Sequence, residues 1–156
     1  MPDSIHAKLL ADAVVMVKHL ALAGITEASI KEIWLPEKSA KFAATLPAIH
    51  VSPFGQETFG EGTNRGDDIQ YPIGIYMMDD ANRGSTTEID ERLLWREKIL
   101  DHFIHNRLSV ALTNAVICDQ LIEPGPIVDN AAWYGRNIWL SALVVRVMVR
   151  KRRRAT

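Results

Sequence analysis

His102 and His105 stand three residues apart, a spacing that brings two imidazoles to one side of a helix, where they could share a metal ion. Asp101, or Asp79 from elsewhere, would have to complete the set, and the sequence offers no recognisable third ligand. Surface histidines near a helix C-terminus, where positive charge is favoured, are the stronger reading. Asp79 and Asp80 could suggest a carboxylate pair for a divalent cation. Neighbours in an extended segment point to opposite faces, so a solvated turn is expected instead. The glycines of 60–66 match no nucleotide-binding pattern, and no Gly-Lys-Ser/Thr follows them. The single cysteine, Cys118, has no basic activator nearby in sequence and reads as a structural thiol. No serine sits in a nucleophile elbow. Arg65-Gly66-Asp67 matches a tripeptide read by some adhesion receptors, too short a signal to carry weight. No catalytic residue, metal or cofactor is therefore expected. A small metal-dependent enzyme built on His102, His105 and the Asp79-Asp80 loop is the enzymatic alternative.

Charge is more informative. The 156 residues carry 18 Lys+Arg against 19 Asp+Glu, a net of −1. Residues 1–145 hold 12 of those bases and all 19 acids; residues 146–156 hold Arg146, Arg150, Lys151, Arg152, Arg153 and Arg154. An acidic body thus ends in a basic run. That run could bind phosphates with a steep salt dependence. It could lie on an acidic neighbour, including another copy of the chain. It could also be a solvated end. No aromatic residues interleave it to stack bases. One cysteine excludes a disulfide framework. No apolar run is long enough for a membrane helix, and Met1-Pro-Asp-Ser4 lacks a basic signal-peptide start.

The elements that must position these groups follow from periodicity. Residues 4–23 read as a helix capped by Asp3 or Ser4 and ended by Gly24, with Ile5, Leu9, Ala13, Met16, Val17, Leu20 and Ala21 on one face. Residues 29–35 and 48–52 read as strands, the second short or at an edge between Pro47 and Pro53. Residues 37–46 are open between helix and loop. Residues 54–68 read as a polar loop or hairpin tip. A strand over 69–78 follows, with Ile69, Tyr71, Ile73, Ile75 and Met77 on one face and Pro72 favouring an edge or bulge. A second helix is predicted over 88–108, capped by Thr87 with Asp90. Leu93, Leu100, Phe103, Ile104 and Leu108 form its expected core stripe, and Arg92, Arg96, Glu97, Lys98 and Asp101 its outer side. Strands over 115–123 and 137–149 complete the chain. Trp133 and Tyr134, in the loop between them, are candidate interface aromatics, with core packing the default for them and for Trp34, Trp95 and Trp139. The order α-β-β-β-α-β-β predicts an α+β domain over 1–149, an antiparallel sheet of four to five strands with two helices on one face, and a separate basic tail over 150–156.

That order, the strand Ile69-Gln-Tyr-Pro-Ile-Gly-Ile75, the acidic loop after it and the helix through Leu94-Trp-Arg-Glu-Lys-Ile99 resemble tail-terminator and related head–tail joining proteins of tailed bacteriophages. The likeness covers most of residues 4–149 and is one of length, order and texture. The long 54–68 loop and the basic end depart from it. The resemblance implies a homo-oligomeric ring, a hexamer in most of the family, at the head-proximal end of the tail tube. The ring would end tube polymerisation and join the head connector. The partners would be other copies of the chain, the tail tube protein and the connector, with transient DNA contact through the basic end and no membrane. It further implies a place in the virion neck after assembly in the host cytoplasm, or in a phage-like particle. A connector or stopper adaptor without a stable ring is the structural alternative. The candidate interface residues are Arg150, Lys151, Arg152, Arg153, Arg154, Trp133, Tyr134, Asp79, Asp80 and Arg65. The polar loops over 54–68 and 79–87 would face the tube or the lumen.

Overall fold

The computed structural model describes residues 4–33, 46–60, 66–80, 85–130 and 137–153. The expectations for Trp34, residues 37–45, Arg65, Trp133, Tyr134 and Arg154 lie outside these residues. Helix α1 (Ile5–His19) is followed by a short 3-10 turn (Glu27–Ser29), then β1 (Ile30–Glu32), β2 (Ala48–Pro53), β3 (Thr58–Phe59) and β4 (Gly66–Asp80). Helix α2 (Thr86–His105), β5 (Ala115–Pro124) and β6 (Ile138–Arg152) complete the order. The class is α+β, as expected.

The strands form one sheet in the order β1-β2-β4-β6-β5, with β3 also on β4. It has six strands rather than four or five, because the 54–68 segment contributes β3. It is mixed rather than antiparallel: β1 runs parallel to β2, and every other pair is antiparallel. β2 is consequently an inner strand, not an edge. β4 and β6 pair over all fifteen residues of each, from Gly66 opposite Arg152 to Asp80 opposite Ile138. The expected boundary at 149/150 therefore falls inside β6, and Arg150, Lys151 and Arg152 are strand residues rather than tail.

Alternation along these two strands makes the core. Tyr71, Ile73, Ile75 and Met77 of β4 and Trp139, Leu143, Val145, Val147 and Val149 of β6 are buried in one cluster with Leu9, Ala13 and Val17 of α1 and Trp95, Ile99 and Phe103 of α2. Both helices lie on this face. Pro72 sits in a central strand, yet locally at an edge: β2 pairs with β4 up to Ile73 and β3 resumes at Gln70. Its missing N–H faces that gap, and its carbonyl accepts from Phe54 N at 3.3 Å and His6 Nε2 at 2.8 Å.

The helix termini depart from expectation in detail. Ser4 Oγ caps α1 by accepting from Ala7 N at 3.3 Å. α1 ends at His19, and Ala21, not Gly24, takes the first left-handed position, with φ 47°. α2 is capped by a Ser85–Glu88 box two residues earlier than the Thr87–Asp90 pair, since the longer glutamate reaches back to the cap amide at 3.0 Å.

The larger correction concerns which side of α2 is buried. Arg92 and Arg96 face inward, at 3% and 7% exposure, while Leu93, Leu94 and Ile104 are exposed. Arg96 is held by four acceptors. Its Nη1 donates to Ser141 Oγ at 2.7 Å, Ala142 O at 2.8 Å and Pro126 O at 3.3 Å, and its Nη2 to Gly125 O at 2.7 Å. It has no carboxylate partner among the described residues, and burial pushes its guanidinium below the ordinary arginine value. Arg96 thus pins the 124–126 bend onto β6. Replacing it by methionine keeps the apolar stem and strands these acceptors. Denaturant unfolding of Arg96→Met should show a loss of about 2–4 kcal/mol at unchanged denaturant slope; a loss below about 0.5 kcal/mol would refute the pinning role.

Candidate functional site

The basic end and the start of β4 meet because the β4–β6 register puts Asp67 and Asp68 opposite Lys151 and Arg150. Arg150 grips Asp68 through two parallel bonds, Nε to Oδ1 at 2.7 Å and Nη2 to Oδ2 at 2.9 Å. This fork lowers the Asp68 carboxyl below its usual range and raises the Arg150 guanidinium. Arg153 donates to Asp67 Oδ1 from Nε at 2.9 Å and Nη2 at 2.7 Å. Two of the five cations of the run are thus already paired within the chain.

Lys151 and Arg152 have no side-chain ion pair or hydrogen bond among the described residues. With Arg153 they line a cleft of about 730 Å³, closed by Ser4 and His6 of α1, Glu57, Tyr71 and the Thr113–Asn114 turn. The Arg152 amide donates to Asn114 O at 3.0 Å, tying that turn to the end of β6. His6 packs against Tyr71 with ring centroids 5.4 Å apart. His6, Tyr71, Thr113 and Asn114 carried no signal in the sequence as site residues; only the register of β6 brings them to the cations.

Asp79 and Asp80 belong elsewhere. They are not a solvated turn: β4 continues through both, and Asp79 is 2% exposed. Asp79 Oδ2 accepts from Arg92 Nε at 3.0 Å, and Arg92 Nη2 reaches the Asp80 carbonyl. The same guanidinium lies over the Trp139 ring, 5.6 Å from its centroid. Trp139 meets Trp95 edge-on at 6.4 Å, and Trp95 Nε1 donates to Ala23 O at 2.7 Å. This chain of contacts ties α2, β4, β6 and the α1 exit together. His102 lies ten residues beyond Arg92, about 15 Å along the helix, so the two halves of the enzymatic alternative do not converge. His105 instead pairs with Asp101 at 3.3 Å on the surface, and His102 stacks edge-on against Phe103. No cluster of three metal-ligating side chains occurs among the described residues. Cys118 sits at the bulge of β5, its thiol donating to Met148 O at 3.4 Å.

No protein-family model matches the chain, and no curated protein matches it. No helix of the described residues is long and apolar enough to cross a membrane.

The sheet face away from the helices carries a third group. His50, Ser52 and Tyr76 sit on β2 and β4, with His50 opposite Tyr76 and Ser52 opposite Gly74. The Tyr76 ring folds over Gly74 so closely that a Cβ there would meet it at 2.7 Å. Burial raises the Tyr76 phenol. Burial, with the neighbouring Lys31 charge, lowers His50 to about 4. Folding therefore requires neutral His50, whereas the unfolded chain takes up a proton below about 6.5. Its share of stability is complete above pH 6.5 and is lost as pH falls towards 4. Thermal melts over that window should record a decline of at most about 3 kcal/mol, which His50→Asn removes. An identical decline in the variant would assign the effect to other groups.

Proposed function

We propose that the chain is a structural subunit of a tailed-bacteriophage neck. In this reading it is a tail-terminator-type protein that closes a homo-oligomeric ring on the head-proximal end of the tail tube, halts tube growth and offers a surface to the head connector. It would work in the virion after assembly in the host cytoplasm. One observation carries the subunit reading: α2 turns two arginines inward and leaves apolar side chains outside. Ile89, Leu93 and Ile104 form an exposed flank, with Leu94 beside it, and Ile104 is 58% exposed. Around them stand Glu88, Asp90, Glu91, Glu97 and Asp101, with Lys98 the one exposed lysine or arginine of the helix.

The occupant that fits this acidic, apolar flank is a second copy of the chain. The same subunit presents a complementary surface at β5, whose outer edge is unpaired among the described residues. There Val116 and Leu121 are exposed beside Arg150 and Arg146 of β6, and the basic end of β6 follows. An acidic apolar flank meeting a basic apolar edge is a head-to-tail contact between different surfaces. Such contacts close into rings when the rotation permits. Charge of opposite sign at the two surfaces sets orientation and partner choice.

Light scattering and native mass spectrometry test the reading. The wild-type chain should form one closed species of defined stoichiometry that binds the ends of tail tubes. Leu93→Glu with Ile104→Glu, both at exposed positions, should give a folded monomer with an unchanged melting temperature. A wild-type chain that stays monomeric at high concentration and low salt, with no binding to tail tubes, would sink the proposal.

A further inference from the structure

The cleft at the end of β6 is built for an anion, and we infer that it binds a phosphate group. Three consecutive residues, Lys151, Arg152 and Arg153, line it, and only Glu57 among its lining residues is acidic. Arg153 uses Nε and Nη2 on Asp67, which fixes the guanidinium and leaves Nη1 uncommitted. Guanidinium and ammonium groups form strong, charge-assisted bonds to phosphate oxygens, and of the three only Arg153 is held in place by a partner among the described residues. Thr113 and Asn114 add neutral donors beside the cations, and the turn that carries them is held by the Arg152 amide. The volume, about 730 Å³, exceeds a bare phosphate and suits a phosphate-bearing ligand. Ser4, Ile5 and His6 bring the start of α1 to the same cleft, and the first turn of that helix holds no acid. Its partial positive charge adds to that of the side chains.

The remaining cations do not compete for the role. Arg150 is committed to Asp68 by both arms of its fork, and Arg146 to Glu123 at 3.1 Å. The basic run is thus divided by its partners. Arg150 closes the sheet, while Lys151 and Arg152 remain for a ligand. The inference is independent of ring closure, because every lining residue belongs to one chain.

The ligand chemistry, a phosphate, has two sources: a free phosphate or phosphomonoester, and the phosphodiester backbone of DNA. Titration of the full chain by calorimetry and amide NMR, at low salt, uses inorganic phosphate, a mononucleotide and a short DNA duplex as separate probes. Saturable binding that moves the Thr113, Asn114, Lys151 and Arg152 amides is expected. Lys151→Gln with Arg152→Gln should weaken it at least tenfold at an unchanged melting temperature, and Glu57→Gln should tighten it. Duplex binding that is tighter than inorganic phosphate and falls steeply with salt identifies the DNA backbone. Saturation by phosphate or mononucleotide without duplex binding identifies a small ligand. No saturable binding to any probe, or binding indifferent to the double substitution, overturns the inference. Oligomer size measured on the same samples reports separately on the ring.

Discussion

Everything in this fold hangs on the register between β4 and β6. Side chains alternate along a strand, so a slip of one residue would send the whole core face to the other side of the sheet. Fifteen paired residues, about 50 Å of strand, hold Tyr71, Ile73 and Ile75 level with Val147, Val145 and Leu143. Ion pairs clamp both ends. Arg150 and Arg153 take Asp68 and Asp67 at one end, and Arg92, seated on Trp139, takes Asp79 at the other. These charged contacts specify register, because a slipped pairing would carry each arginine away from its carboxylate. The buried Asp79–Arg92 pair pays a desolvation cost that leaves little net stability, so alignment is its clearer contribution.

The same clamps explain what the sequence hid. Alternation in 69–78 and 137–149 marks both long strands and separates their two faces, because period-two hydropathy is a local signal. The ends of those strands are polar, so periodicity does not reach Gly66, Asp80 or Arg152, and a basic run inside β6 reads as a tail. β3 is two residues long and carries no period at all. The parallel β1–β2 pairing depends on a crossover, which local pattern does not encode. α2 misled in the opposite direction. Its leucines suggested the inner stripe, yet the face is decided by acceptors on β4, β6 and the 124–126 bend that only tertiary structure assembles. Trp95, Ile99 and Phe103 supply the apolar part of that face, and Arg92 and Arg96 lie between them.

A helix that buries two guanidiniums displaces apolar side chains outward. This links folding to association. Leu93 and Ile104 are outside because the inner positions are taken by residues with fixed hydrogen-bond partners, not because the helix lacks an apolar face. An apolar flank kept this way cannot turn inward without stranding the Arg96 acceptors and the Asp79 carboxylate. The surface available to a neighbouring copy is therefore set by the interior, and a partner would find it preformed.

The charge asymmetry takes on a different meaning in three dimensions. In sequence, an acidic body ends in a basic run. In the fold, Arg150 and Arg153 are returned to the body through Asp68 and Asp67, and among the described residues the excess narrows to Lys151 and Arg152 at a cleft. Five further acids, Glu88, Asp90, Glu91, Glu97 and Asp101, lie along α2. Neutralising part of the run internally has a physical consequence. It converts a diffuse cationic end, which would attract any polyanion, into cations that a strand places at the rim of one cleft. Strand residues lose little further entropy on binding, unlike a mobile tail, so fewer cations can hold an anion in one geometry. The cleft lies at the end of β6 that borders the β5 edge, so contact with another copy there and capture of a phosphate would draw on neighbouring cations.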